Sequence, residues 1–127
     1  MHLLDSSVWI ALFVEADAHH MRALQIFKGI TGTIYVPYIV IEETASMLAY
    51  KHSKQHADTF VSFIARHPRC TIADSNARID IEMFLQTSLR ISFADISIIA
   101  LSLLTRSELV TFDAEMQKEF HRRKGAL

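Results

Sequence analysis

Short apolar stretches alternate along this chain with longer segments of helical periodicity, and that alternation constrains the fold more than any other feature. His2 to Leu4 reads as a strand ending at Asp5, Thr33 to Val36 and Arg69 to Ala73 as β-branched strands, and Glu108 to Phe112 as a fourth. The segments between them read as helices. Ser6 and Ser7 can cap one running to about Glu15, and Asp17 starts another whose Met21, Leu24, Ile26 and Phe27 lead to Gly29. After Pro37, suited to a turn, Val40, Thr44, Met47 and Leu48 recur at helical spacing, and a further helix with Phe60, Phe63 and Ile64 ends near His67-Pro68. Asp74, Ser75 or Asn76 can cap a helix reaching about Leu89. Ile96, Ile99, Ala100, Leu103 and Leu104 form the clearest apolar stripe, and a polar helix spans Asp113 to Arg123. Strands alternating with helices imply a parallel sheet covered on both faces, with any site at the carboxyl ends of the strands.

With three glycines and two prolines, the chain lacks the punctuation of an all-β protein. Its 127 residues, half of them hydrophobic, suit one globular domain over 1–127 with a core of its own. Cys70 is the only cysteine, so no internal disulfide forms, and the apolar run Val8 to Val14 follows an acid without a basic flank; the expected location is cytoplasmic. No stretch is long and apolar enough to span a bilayer; even Ile96 to Leu104 is short and interrupted by serines. The net charge of −1 argues against a broad basic face that grips nucleic acid. It leaves open an enzyme that neutralises phosphates with bound metal ions.

Four carboxylates stand out by position. Asp5 directly follows the first strand and Asp113 the fourth, Asp95 begins the Ile96 to Leu104 helix, and Glu43 lies near the start of the helix after the second strand. All four therefore sit near the same end of their elements. Converging carboxylates repel one another, and a divalent cation relieves that repulsion. An all-oxygen set without Cys or a His pair favours Mg²⁺ or Mn²⁺ over zinc, and such an ion activates water for attack on a phosphodiester. Each acid also has a simpler reading: Asp5 and Asp113 as N-caps, Ser92 and Asp95 as a capping box, Glu43 as a solvated helix residue. The two readings are compatible, because a helix N-terminus favours an ionised carboxylate.

The segments Leu4-Asp5-Ser6-Ser7-Val8, Val40-Ile41-Glu42-Glu43-Thr44, Phe93-Ala94-Asp95-Ile96-Ser97-Ile98-Ile99-Ala100-Leu101 and Leu109-Val110-Thr111-Phe112-Asp113 resemble, in order and spacing, the motifs of PIN-domain nucleases. The similarity is strongest to VapC-like toxins of prokaryotic toxin–antitoxin pairs and extends from Leu3 to about Phe120. The resemblance implies a three-layer α/β/α sandwich with a central parallel sheet, Mg²⁺- or Mn²⁺-dependent cleavage of RNA, frequent homodimers, and a partner antitoxin. It assigns the catalytic, metal-binding positions to Asp5, Glu43, Asp95 and Asp113, with Ser7 and Thr111 as hydroxyl residues that orient a carboxylate or a water. Of the adjacent Glu42 and Glu43 only one can face the crevice; Glu43 places Met47 and Leu48 in the family's apolar register, and Glu42 is the alternative. The family's last edge strand has no clear counterpart before Leu127, so four or five strands are expected.

Other readings are weaker. His19, His20, His52 and His56 lie on polar helical faces without zinc spacing. Lys51, Lys54, Arg66, Arg69 and Arg90 are scattered, and Arg122, Arg123 and Lys124 suit the dipole of the last helix. Trp9 and Phe13 are candidates for the core or a dimer face. An aspartyl-phosphate phosphatase would want an acid two residues after Asp5, where Ser7 stands, and a phospho-receiver would need a lysine soon after the late strand. A catalytically silent binding module of the same fold is the remaining alternative.

Overall fold

Residues 1–126 are described by a computed structural model. Four strands, β1 (His2–Leu4), β2 (Ile34–Pro37), β3 (Cys70–Ala73) and β4 (Glu108–Val110), form one parallel sheet in the order β3-β2-β1-β4. Leu3 lies opposite Tyr35 on one side and Leu109 on the other. Leu3 and Leu4 are both fully buried, and because successive strand residues point to opposite faces, both faces of β1 are covered.

Among the described residues seven helices flank this sheet: α1 (Ser6–Phe13), α2 (His20–Gly29), α3 (Tyr38–Lys51), α4 (Lys54–Arg66), α5 (Ala77–Gln86), α6 (Phe93–Thr105) and α7 (Ala114–Gly125). α1 packs against α2, α3 and α4, whereas α6 packs against α5 and α7. Trp9 is fully buried, and its ring meets Phe60 at 5.7 Å and Phe63 at 6.1 Å between centroids, tying α1 to α4. Trp9 is thus a core residue, and half-buried Phe13 packs on the same cluster. Every residue from Ile96 to Ser102 is buried, so α6 is enclosed on all sides rather than along one stripe, while Leu104 projects outward. Its hydroxyls stay satisfied in that apolar setting: Ser102 donates to the Ile98 carbonyl at 2.9 Å and Ser97 to the Asp80 carboxylate at 2.6 Å.

The connections place the site. Successive helix pairs carry the chain from β1 to β2 to β3 in one direction, and α5 with α6 then returns it to the far side of β1. The strand order therefore reverses between β1 and β4. In open parallel sheets the two loops leaving such strands diverge and leave a crevice at their carboxyl ends.

Several boundaries differ from the sequence reading for local reasons. Asp5, not Ser6 or Ser7, is the N-cap of α1, accepting from the Val8 amide. α2 begins at His20 because Asp17 is used earlier, its carboxylate accepting from the His19 amide at 2.8 Å in the preceding turn. Pro37 ends β2 and is the N-cap of α3, so strand passes to helix without an intervening turn. Asn76 is the residue that caps α5, which stops at Gln86. Among the described residues the sheet has four strands, and no further edge strand follows α7.

Candidate active site

Asp5 directly follows β1 at the reversal point, whereas β4 ends at Val110, earlier than the Phe112 read from the sequence, so Asp113 stands three residues beyond that strand, as the N-cap of α7. Asp5 continues the ladder by donating its amide to the Val110 carbonyl at 3.1 Å, which brings its side chain beneath the loop that follows β4. There it is held at both oxygens: Ser7 donates to Oδ1 at 2.6 Å and Thr111 to Oδ2 at 2.5 Å. Those hydroxyls are fixed in turn, because the Phe112 amide donates to Ser7 Oγ at 3.1 Å and the Asp113 amide to Thr111 Oγ1 at 3.0 Å. Asp5 is only 5% exposed, and burial pushes its carboxyl above the usual range despite these donors.

The other acids arrive from three helices. Asp113 caps α7, accepting from the Glu115 and Met116 amides at 3.0 and 3.2 Å through one oxygen, Oδ1. Asp95 lies in the first turn of α6, where its amide is taken by the N-cap Ser92 Oγ at 3.1 Å. Glu43 projects from α3, is half-buried, and accepts a hydrogen bond from Ser6; Glu42 beside it is exposed. The N-cap reading of Asp5 and Asp113 thus holds alongside their shared location.

Asp95 shows how the group behaves electrostatically. Its carboxyl is pushed up to about 6, first by burial and then by the negative charges of Asp113, Glu43 and Asp5, with the Ser92 hydroxyl opposing. The charges of Asp113, Glu43 and Asp5 therefore reach Asp95, adding to a rise that burial dominates. Among the described residues, no three His, Cys, Asp or Glu side chains stand closely enough grouped to hold an ion between them. The donor set nonetheless fits a hard cation of the Mg²⁺ type, which takes one or two carboxylates directly and reaches the others through its waters.

Two of the histidines and five of the cations are engaged elsewhere. His20 Nδ1 lies 2.7 Å from the Ala11 carbonyl and His56 Nδ1 2.6 Å from Ser53 Oγ. Lys54 pairs with Asp58, Arg69 donates to the Ile30 carbonyl, Arg122 and Arg123 hold the buried Glu119, and Lys124 pairs with Glu108. Two contributions were not read from the sequence. Ser6 serves as the hydroxyl beside Glu43, and Phe112 sits between Thr111 and Asp113 with His19 and Arg22 against its ring. The adjacency of Ser6 to Asp5 was the only signal available for the first, and nothing in the spacing linked 19, 22 and 112.

Comparison with known proteins adds to this geometry. The model of the PIN domain matches residues 2–121. No curated protein matches the chain in sequence. Among solved structures, the chain is similar to VapC20 of Mycobacterium tuberculosis, described as a sarcin-ricin-loop-cleaving toxin, with a TM-score of 0.84 and 17% identity over 94% of this chain and 95% of that one. It is also similar to a chain of VapBC2 from Rickettsia felis bound to a promoter DNA fragment, with a TM-score of 0.68 and 18% identity over 92% and 91%. A chain of a toxin–antitoxin complex from Klebsiella pneumoniae has a TM-score of 0.66 and 20% identity over 91% and 88%. Each likeness is one of fold.

Proposed function

The chain belongs to the PIN domain family, and from that premise we propose that it is a metal-dependent ribonuclease, the toxin of a toxin–antitoxin pair, with its centre at Asp5, Glu43, Asp95 and Asp113. The observation that carries this reading is the frame at the β1/β4 reversal, where Ser7 and Thr111 hold both oxygens of Asp5 and Thr111 also takes the Asp113 amide, while Asp95 is raised to about 6 first by burial and then by the charges of Asp113, Glu43 and Asp5. A centre with that much negative charge repels a phosphodiester unless a cation intervenes. Mg²⁺ or Mn²⁺ is the cation we assign, and when bound it supplies activation of water and stabilisation of the leaving oxygen.

The chain's own residues set the geometry. Ser7 and Thr111 hold both oxygens of Asp5, so its carboxylate enters the site in one orientation rather than as a free rotor. Ser6 does the same for Glu43. Asp113 is fixed likewise, its Oδ1 accepting from the Glu115 and Met116 amides at the start of α7. In-line attack on RNA needs such a fixed frame, because positioning supplies much of the rate in phosphoryl chemistry.

An antitoxin partner comes with this reading, as do action on cellular RNA and a cytoplasmic location; the likeness to chains of toxin–antitoxin complexes supports the first. The test is direct. Purified protein, freed of any antitoxin, cleaves RNA with Mg²⁺ or Mn²⁺, stops on addition of EDTA, and loses cleavage in the Asp5→Asn variant while keeping its fold. Cleavage indifferent to EDTA, or full activity in Asp5→Asn, would rule out the assigned centre.

A further inference from the structure

The acidic crevice has a rim of different character on the side of the loop between β4 and α7. Phe112, between Thr111 and Asp113, is half-buried and carries two side chains from the α1–α2 region. His19 stacks on its ring, with centroids 4.7 Å apart and planes 26° from parallel. The guanidinium of Arg22 lies 5.3 Å from the same centroid. His19 and Arg22 are both exposed.

This arrangement is built from both sides. The His19 amide is held by Asp17 at 2.8 Å and His20 is anchored to the Ala11 carbonyl at 2.7 Å, which fixes the turn that presents His19 and, one helical turn on, Arg22. The Phe112 amide donates to Ser7 Oγ, the hydroxyl that itself donates to Asp5. The rim and the carboxylate centre are therefore linked by three consecutive bonded groups. Arg22 has no ion pair among the described residues, in contrast to Lys54, Arg122, Arg123 and Lys124.

We propose that His19, Arg22 and Phe112 form a nucleotide-binding rim: Arg22 takes a backbone phosphate next to the scissile one, and the outer face of His19 stacks a base onto the existing His19–Phe112 pair. This rests on the ribonuclease reading above and names how that site receives its substrate. The chemistry fits single-stranded RNA. A guanidinium anchored over an aromatic ring keeps its N–H donors for phosphate, and an exposed ring already stacked on a second one presents a π face of fixed orientation. A chain of net charge −1 with a cluster of acids needs a local cation to bring a polyanion in. Arg22 is the one that the structure ties to the loop bearing Thr111 and Asp113.

Binding is read without turnover in full-length Asp5→Asn protein with chelator present, from the fluorescence anisotropy of a short labelled single-stranded RNA of mixed sequence. Adding Arg22→Gln is expected to weaken binding about tenfold and to flatten the dependence of log affinity on log salt by about 0.7, the signature of one lost phosphate contact on a single strand. Adding His19→Ala instead is expected to cost about tenfold with the salt slope unchanged, and His19→Phe, which keeps the stacking face, restores most of it. Thermal melts of these surface variants should match their parent. Affinity and slope unchanged in Arg22→Gln overturn the phosphate contact, and His19→Phe as weak as His19→Ala overturns the stacking, whatever either change does to the affinity for a protein partner. In the otherwise unaltered protein, RNA cleavage with Mg²⁺ reports on the ribonuclease reading separately: loss of binding in the variants with no cleavage by the parent would sustain the rim and refute the nuclease.

Discussion

Neutralising Asp95 should stabilise the metal-free protein, and the size of the effect follows from its surroundings. The carboxyl is raised from an ordinary 3.8 to about 6 by burial and by Asp113, Glu43 and Asp5. At full strength a rise of that size corresponds to about 3 kcal/mol, and screening by water at a half-buried group reduces it to about 1–2 kcal/mol. The sign is that of an acid whose folded form holds its proton more tightly than the unfolded chain. Stability falls as pH rises from about 4 to about 6, and the whole cost is present above that. Asp95→Asn removes the charge at nearly constant shape, so in chelator at pH 7 it should be more stable than the parent by about 1–2 kcal/mol in urea unfolding, a difference that shrinks towards pH 4. Adding Mg²⁺ should stabilise the parent and leave Asp95→Asn nearly unchanged. If Asp95→Asn were no more stable than the parent at pH 7, with no change in the difference on acidification, the carboxylates would not share a field and the case for a cation between them would lapse.

Other changes separate holding from ligation. Thr111→Val keeps the volume but removes the donor to Asp5 Oδ2, and should lower RNA cleavage by about 10- to 100-fold in a Mg²⁺ titration, with a raised metal requirement. Unaltered metal dependence would show that Asp5 needs no such support. Glu43→Gln should lower cleavage by about 100-fold while Glu42→Gln changes it by less than about twofold, since only Glu43 is turned inward and held by Ser6. The reverse outcome in the same single-turnover assay would move the ligand to Glu42. Ser6→Ala should resemble a weak form of Glu43→Gln, a loss of about tenfold with no loss of stability beyond about 1 kcal/mol.

Much of the fold was legible because hydrophobic period and capping chemistry agree along most of the chain. The β-branched Thr33 to Val36 and the apolar face of Phe60, Phe63 and Ile64 each satisfy local preference and tertiary packing at once. The sheet order was not legible. Nothing in the strand sequences says that β4 pairs with β1 rather than β3, because parallel strands are joined by long crossovers that leave no local trace. Yet that order is what sets Asp5 beside the Asp113 loop. Local competition explains the misplaced caps. Asp5 outcompetes Ser6 and Ser7 at the start of α1, which frees Ser6 for Glu43 and Ser7 for Asp5. At the site, Asp5 and Asp113 could be argued from strand ends, whereas the inward turn of Glu43 over Glu42 depends on the rotation of α3 about its axis. The rim of His19, Arg22 and Phe112 joins residues about 90 positions apart and has no sequence period to betray it.

A shared divalent cation is the central claim, and anomalous diffraction from crystals of the protein soaked in Mn²⁺ tests it most directly. A manganese peak within coordinating reach of Asp5, and linked directly or through water to Asp95, Asp113 and Glu43, is the predicted result. A fully soaked crystal with no peak in the β1/β4 crevice, or with manganese only at other carboxylates, would contradict it.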